Sequence, residues 1–210
     1  MNVLAKPRIN VDEFLNWAVG RPGRYELFRG EVIAMSPETV GHAVIKAAVY
    51  AALLSSIRQQ CLPCHVLPDG VTVRIDNETA YEPDAQVYCG EKLTSTTLEV
   101  PNPVIIVEVL STSTRRVDLS QKLIGYFRLP SVQHYVIVDP TQPVVVHHSR
   151  SADTIITRIA TEGRIALDPP GLELDLADTP HAKYVSHIML RNRNCGSQLR
   201  FLTMNSSTRG

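Results

Sequence analysis

The sequence predicts a mixed α/β domain, and three observations carry that expectation. Val104-Ile105-Ile106-Val107 with Val109-Leu110 reads as a strand apolar on both faces, the mark of a central strand covered from two sides. Val44, Ile45, Ala48, Val49, Ala52, Leu53 and Ile57 recur at helical spacing, which predicts a long amphipathic helix over Val40 to Gln60. A second helix, Asp118 to Arg128, is followed by strand-like runs at His134 to Val138 and Val144 to His148. A chain of 210 residues suits one domain with a full hydrophobic core.

The remaining elements follow in order. Asn10 with Glu13 three residues later resembles a capping box and predicts a short helix over Val11 to Val19, ended by Gly20 and Pro22. Tyr25 to Phe28 and Glu31 to Met35 flank Arg29-Gly30 as a tight hairpin. Val71, Val73 and Ile75 alternate with polar neighbours as a strand does, Asp76-Asn77-Glu78 turns the chain, and Ala85 to Tyr88 begins the next strand. Gly90 to Asn102 reads as a connection. Thr154 to Ile159 suits an edge strand and Leu172 to Leu176 a last apolar element. From His181 the chain loses sustained periodicity, so the expected organisation is one domain over 1–178 and a poorly ordered extension over 179–210.

Composition excludes several classes. With 44% apolar and 20% charged residues and a mean hydropathy of −0.03, the chain is neither disordered nor fibrous. Its longest apolar runs fall far short of the roughly 20 residues that span a bilayer, and Met1 to Arg8 lacks the features of a secretory signal. The expectation is a cytoplasmic protein without membrane partners. The zero net charge conceals a division, because residues 1–182 carry 16 basic and 21 acidic side chains while the rest carries basic ones alone. That argues against nonspecific coating of nucleic acid but not against a local cationic groove. Cys61-Leu62-Pro63-Cys64-His65 matches both a redox pair and a haem-attachment pattern. Without export features, a following helix or further ligands, the expected reading is reduced thiols near a helix end, with Cys89 and Cys195 alone.

The chemical anomaly is Glu108, a carboxylate inside the most apolar strand. A buried charge needs a salt bridge, a raised pKa or a cation, so an ion pair and a functional site stand side by side. Asp84, opening the preceding strand after Pro83, can converge on Glu108, and paired carboxylates suit a hard divalent cation such as Mg²⁺. On the second helix Leu119, Leu123, Tyr126 and Phe127 form an apolar stripe with Lys122 at its margin, from which an ammonium can reach the carboxylates or stay solvated. Glu26 and His42 are further candidates.

Tyr25 to Val32, Met35-Ser36-Pro37, His42, Pro83-Asp84, Val107 to Ser111, Lys122 with Tyr126, and Tyr135 to Pro140 together resemble the Uma-type family of restriction-endonuclease-like proteins, within the PD-(D/E)XK nuclease superfamily. The resemblance covers roughly Val11 to Leu176. It implies a restriction-endonuclease-like α/β fold, a mixed central sheet flanked by helices, and a Mg²⁺-dependent endonuclease site that Mn²⁺ can also fill. By matching position it implies that Asp84, Glu108 and the Val109 carbonyl are metal ligands, that Lys122 is the catalytic base or charge stabiliser, and that Glu26 is the upstream acid. The usual lysine position, two residues after the acid, is Leu110 here, so the resemblance implies that its role has moved to Lys122. The implied partner is DNA, with a homodimer as a further expectation. The rival expectations are a noncatalytic nucleic-acid-binding or regulatory module that keeps the fold, and a thiol protein using Cys61 and Cys64.

Overall fold

The computed structural model describes residues 8–110 and 119–176, so the expected extension over 179–210 lies outside the described residues. The first helix, α1 (Val11–Ala18), starts as predicted, with the Asn10 side chain accepting from the Glu13 amide and the Glu13 carboxylate accepting from the Asn10 amide. Strands β1 (Tyr25–Phe28) and β2 (Glu31–Ala34) form the hairpin. Its turn places Arg29 at φ 52° and Gly30 at φ 78°, the left-handed pair that a tight two-residue turn needs to match strand twist.

Then come α2 (Val40–Gln59), β3 (Cys64–Pro68), β4 (Val73–Arg74), β5 (Ala80–Tyr81), β6 (Ala85–Cys89), β7 (Pro103–Val109) and α3 (Leu119–Arg128). The chain continues through β8 (His134–Val138), β9 (Val145–Ser151), β10 (Thr154–Ala160), β11 (Arg164–Leu167) and β12 (Leu172–Asp175). The central sheet runs β10-β9-β8-β7-β6-β3 and is mixed, with β7 and β8 parallel and the other neighbours antiparallel. A smaller sheet, β2-β1-β5-β4, and the β11–β12 hairpin complete the described strands.

Period-two alternation along β7 sorts its side chains between two cores. Ile105, Val107 and Val109 join Ile45, Val49, Leu53 and Ile57 of α2 and the β11–β12 hairpin on one face. Ile106 faces the other way, with Tyr126 and Phe127 of α3 and Val73 and Tyr81 of the small sheet. Glu108 shares the parity of Ile106 and therefore meets α3.

The structure departs from the sequence expectations in three ways. Helix α2 is apolar enough by length and composition to cross a bilayer, yet it lies on the sheet. Its buried positions, His42, Ile45, Lys46, Val49, Leu53, Ser56 and Ile57, keep the 3.6-residue period but include three polar side chains, so it is less amphipathic than expected. The strand expected over Val71 to Ile75 shrinks to β4, while β3, β5 and β11 were not anticipated, being too short or too close to a helix end to show alternation. Cys64 is not a reduced partner of Cys61. It lies directly opposite Cys89 in the β3–β6 register and is joined to it as a disulfide, and Cys61 is a free, exposed thiol. A 25-residue separation between two strands, one of them unseen, hid that pairing.

Candidate active site

Two clusters meet where β6 begins and β7 ends. The first is built on Glu108, which is 2% exposed. Its Oε1 accepts hydrogen bonds from Lys122 Nζ and from the Tyr126 hydroxyl, both at 2.8 Å. Lys122 and Tyr126 are four residues apart and so share one face of α3, and Gly125 lets that face come close. A Cβ at Gly125 would stand 2.9 Å from the Tyr81 ring. Lys122 Nζ also donates to Glu26 Oε1 at 2.8 Å, and the same oxygen accepts the Glu82 amide at 3.0 Å. The Tyr81 ring lies 5.4 Å from the ammonium. Lys122 is 1% exposed, buried under β5 rather than at the margin of the helix's apolar stripe.

Electrostatics follow from that burial. Loss of water, helped by the Asp84 and Glu26 charges, pushes the Glu108 carboxyl up to about 7, against the pull of Lys122. Burial alone would lower the Lys122 ammonium, but Glu108 and Glu26 outweigh it and hold it well above the ordinary lysine value. The Tyr126 phenol is raised by burial and by both carboxylates, so it stays a donor. Tyr135, fully buried nearby, has no hydrogen-bond partner for its hydroxyl among the described residues.

The second cluster is built on Asp84. Its Oδ2 accepts the Val109 amide at 2.7 Å, which ties the start of β6 to the end of β7. The Val109 carbonyl bonds His42 Nε2 at 2.9 Å. A carbonyl only accepts, so His42 donates from Nε2, while its buried Nδ1 has no hydrogen-bond partner among the described residues and lies 3.5 Å from Glu38 Oε2. Glu38, His42 and Asp84 each offer one ligand atom within 4.8 Å of the others. Lys46 Nζ, one turn along α2, stands 3.4 Å from Asp84 Oδ1, donates to Glu38 at 2.5 Å and also pairs with Asp69. Arg24 pairs with Glu82 at 2.5 Å, with Asp69 at 2.9 Å and with Glu38.

Of the residues expected from sequence, Glu26, Glu108 and Lys122 are brought into one hydrogen-bonded chain, while Asp84, the Val109 carbonyl and His42 form the adjoining group. The donors suit a divalent cation. Glu108 Oε2 takes no hydrogen bond among the described residues, Asp84 and the Val109 carbonyl add hard oxygens, and His42 Nδ1 is a buried nitrogen without a partner. Leu110, two residues beyond Glu108, packs into the α3-side core, and the Lys122 ammonium lies beside the acid in its stead. Sequence reasoning missed Glu38, Lys46, Arg24, Asp69 and Glu82. Only the i, i+4 spacing of Glu38, His42 and Lys46 could have signalled part of this set.

Comparison with known proteins agrees with this architecture. A profile described as Uma2, "putative restriction endonuclease", matches residues 11–179. The chain is 28% identical over 177 residues to the uncharacterized protein slr1290 of Synechocystis sp. (strain ATCC 27184 / PCC 6803 / Kazusa), covering 79% of this chain and 88% of that one. It is 27% identical over 156 residues to sll1609 of the same organism, covering 73% and 88%. The crystal structure of a chain from Anabaena variabilis, described as a putative nuclease belonging to DUF820, superposes with a TM-score of 0.61 at 16% identity, covering 81% of this chain and 97% of that one. That likeness shows a shared fold. The profile spans every residue of both clusters, and the chain belongs to the Uma2 family of restriction-endonuclease-like proteins.

Proposed function

We propose that this protein is a metal-dependent endonuclease that hydrolyses DNA phosphodiester bonds, with Mg²⁺ as its cofactor and Mn²⁺ as a substitute. The observation that supports it best is that Asp84 accepts the Val109 amide at the end of β7, one residue after Glu108, which itself pairs with the buried Lys122 ammonium. Asp84, Glu108 and the Val109 carbonyl are the expected ligands, and His42 and Glu38 stand close enough to Asp84 to complete or share the set. Bound there, the metal supplies Lewis-acid polarisation of a phosphate and lowers the pKa of water.

The chain's own residues do the rest. His42 Nε2–H fixes the direction of the Val109 carbonyl, and the Val109 amide fixes the Asp84 carboxylate. Lys122 and Tyr126 converge on one Glu108 oxygen, Oε1, and no hydrogen bond from the described residues reaches the other. Between the two roles open to Lys122, the two carboxylates favour charge stabilisation, because an ammonium held above its ordinary pKa does not accept protons at neutral pH. The same ammonium also orients Glu108, with Glu26 and the Glu82 amide as its anchor.

The test is incubation of supercoiled plasmid and single-stranded DNA with purified protein in Mg²⁺ or Mn²⁺, with and without chelator. Cleavage that chelator and Asp84→Ala each abolish supports the reading. Cleavage insensitive to chelator overturns it, and no cleavage under any condition leaves the noncatalytic nucleic-acid-binding module as the better account.

A further inference from the structure

Arg24 and Lys46 are the two cations, among the described residues around Asp84, that the nuclease chemistry above does not use. Both are far from ordinary surface ion pairs. Lys46 is held among Glu38, Asp69 and Asp84, with its side chain 9% exposed. Glu38 and Asp69 remain partly open to water, yet with Asp84 they more than offset the desolvation of the ammonium and hold it charged. Arg24 spends Nε on Glu82 and one terminal nitrogen on Glu38 and Asp69, while its other terminal nitrogen is buried with no acceptor among the described residues. An unmet donor on a charged group is a costly feature in a finished structure and a useful one in a binding site. Arg24 also forms one wall of a cleft of about 400 Å³ under α1, where Phe14, Ala18 and Leu98 give apolar surface and Asp69 and Glu82 a polar edge. The cleft thus adjoins the Asp84 cluster through shared residues.

The charge balance explains why these cations are occupied in the free protein. Arg24 and Lys46 face four carboxylates, Glu38, Asp69, Glu82 and Asp84, which leaves two negative charges in excess. A phosphodiester is repelled from such a cluster until a divalent cation takes up Asp84 and Glu38, which releases Lys46 from both and Arg24 from Glu38, while Asp69 and Glu82 keep the two side chains in place. Burial lowers both groups but the surrounding carboxylates raise them further, so both remain cationic.

We propose that Arg24 and Lys46 form a phosphodiester-binding subsite at the mouth of the α1 cleft, beside Asp84, that holds the backbone of a DNA strand once a divalent cation occupies the neighbouring carboxylates. This rests on the nuclease reading for its substrate and adds the residues that grip it. Lys46 reaches the phosphate next to Asp84, Arg24 presents its unpaired N–H edge, and the apolar wall of the cleft accommodates the adjoining nucleoside.

The test measures fluorescence anisotropy of a labelled single-stranded deoxyoligonucleotide and its duplex in Ca²⁺ and in chelator, for wild type, Arg24→Gln, Lys46→Met, Lys46→Arg and the exposed control Lys92→Met. Thermal unfolding checks that each variant is folded. The expected result is cation-dependent binding by wild type and a roughly tenfold or greater loss of affinity in Arg24→Gln and Lys46→Met. The slope of log K against log salt should shrink by about 0.7 to 0.9 for each cation removed, with partial rescue by Lys46→Arg and no change in Lys92→Met. Unchanged affinity and slope in folded Arg24→Gln and Lys46→Met overturn the subsite, as does wild type that binds no DNA. Should Arg24→Gln fail to fold, the comparison of Lys46→Met with Lys46→Arg decides alone. Wild type that binds with these slopes in Ca²⁺ but never cuts in Mg²⁺ keeps the subsite and removes the nuclease reading. Plasmid cutting with unchanged KM in both variants removes the subsite and keeps the nuclease.

Discussion

Lys122 Nζ lies 2.8 Å from Glu108 Oε1 and equally far from Glu26 Oε1, so one buried ammonium serves two buried carboxylates. Removing it strands both acids. We expect Lys122→Met to cost about 3–5 kcal/mol in urea denaturation at pH 8 without metal, the range for breaking a buried ion pair from one side. The deficit should shrink toward pH 5. A Glu108 carboxyl already raised to about 7 with Lys122 present will take up a proton more readily without it, and a neutral acid needs no counter-charge. A deficit that is flat between pH 8 and pH 5 would show that the ion pair is not its source.

This relationship shows what the sequence made legible. Glu108 stood out because a charge broke an apolar run, and the period-two rule told which side of the sheet it faced once α3 was in place. Lys122 was legible as a candidate but not as a buried one, because its burial comes from β4 and β5, two-residue strands that are too short to show periodicity. Glu38, Lys46 and Arg24 were illegible for another reason. Each is an ordinary polar residue in its own segment, and only the packing of α2 against the β6–β7 ends gathers them.

Gly125 should be nearly irreplaceable. An added Cβ would stand 2.9 Å from the Tyr81 ring, which is itself 1% exposed and cannot swing away. Gly125→Ala is expected to destabilise by about 1–3 kcal/mol despite the better helix propensity of alanine. The measurement is a denaturant midpoint, with Tyr81→Leu as a second change. Recovery of stability in the double variant would confirm the clash, and a stabilised single variant would refute it.

Stability should fall in mild acid through the histidine pair on β8 and β9. His134 Nε2–H donates to the Pro169 carbonyl at 2.9 Å, so His134 Nδ1 must accept, at 2.9 Å, from His147 Nε2–H. Burial, then the nearby His134, Arg158 and His148, lower the His147 pKa to about 4. The unfolded chain therefore binds this proton more readily between about pH 4 and 6.5, and the contribution is complete above that window and lost as pH falls through it. We expect a loss of about 1–3 kcal/mol from this site across the window, reduced in His147→Gln, as read from urea midpoints against pH. A wild type and variant with parallel pH profiles would contradict it.

The cross-strand disulfide gives a direct chemical check. Closing a 25-residue separation should contribute about 2–4 kcal/mol by restricting the unfolded chain. Non-reducing peptide mapping should recover a Cys64–Cys89 peptide pair while Cys61 is alkylated, and Cys64→Ser with Cys89→Ser should unfold earlier than wild type by that amount. A Cys61–Cys64 peptide in the map would restore the redox-pair reading.

The proposed nuclease requires Asp84 and Glu108 to serve a single metal centre. Calorimetric titration of Mg²⁺ and Mn²⁺ into wild type and into the folded Asp84→Ala, Glu108→Ala double variant tests it most directly. The expected result is saturable binding by wild type and its loss in the double variant. Equal binding by the two proteins would contradict it.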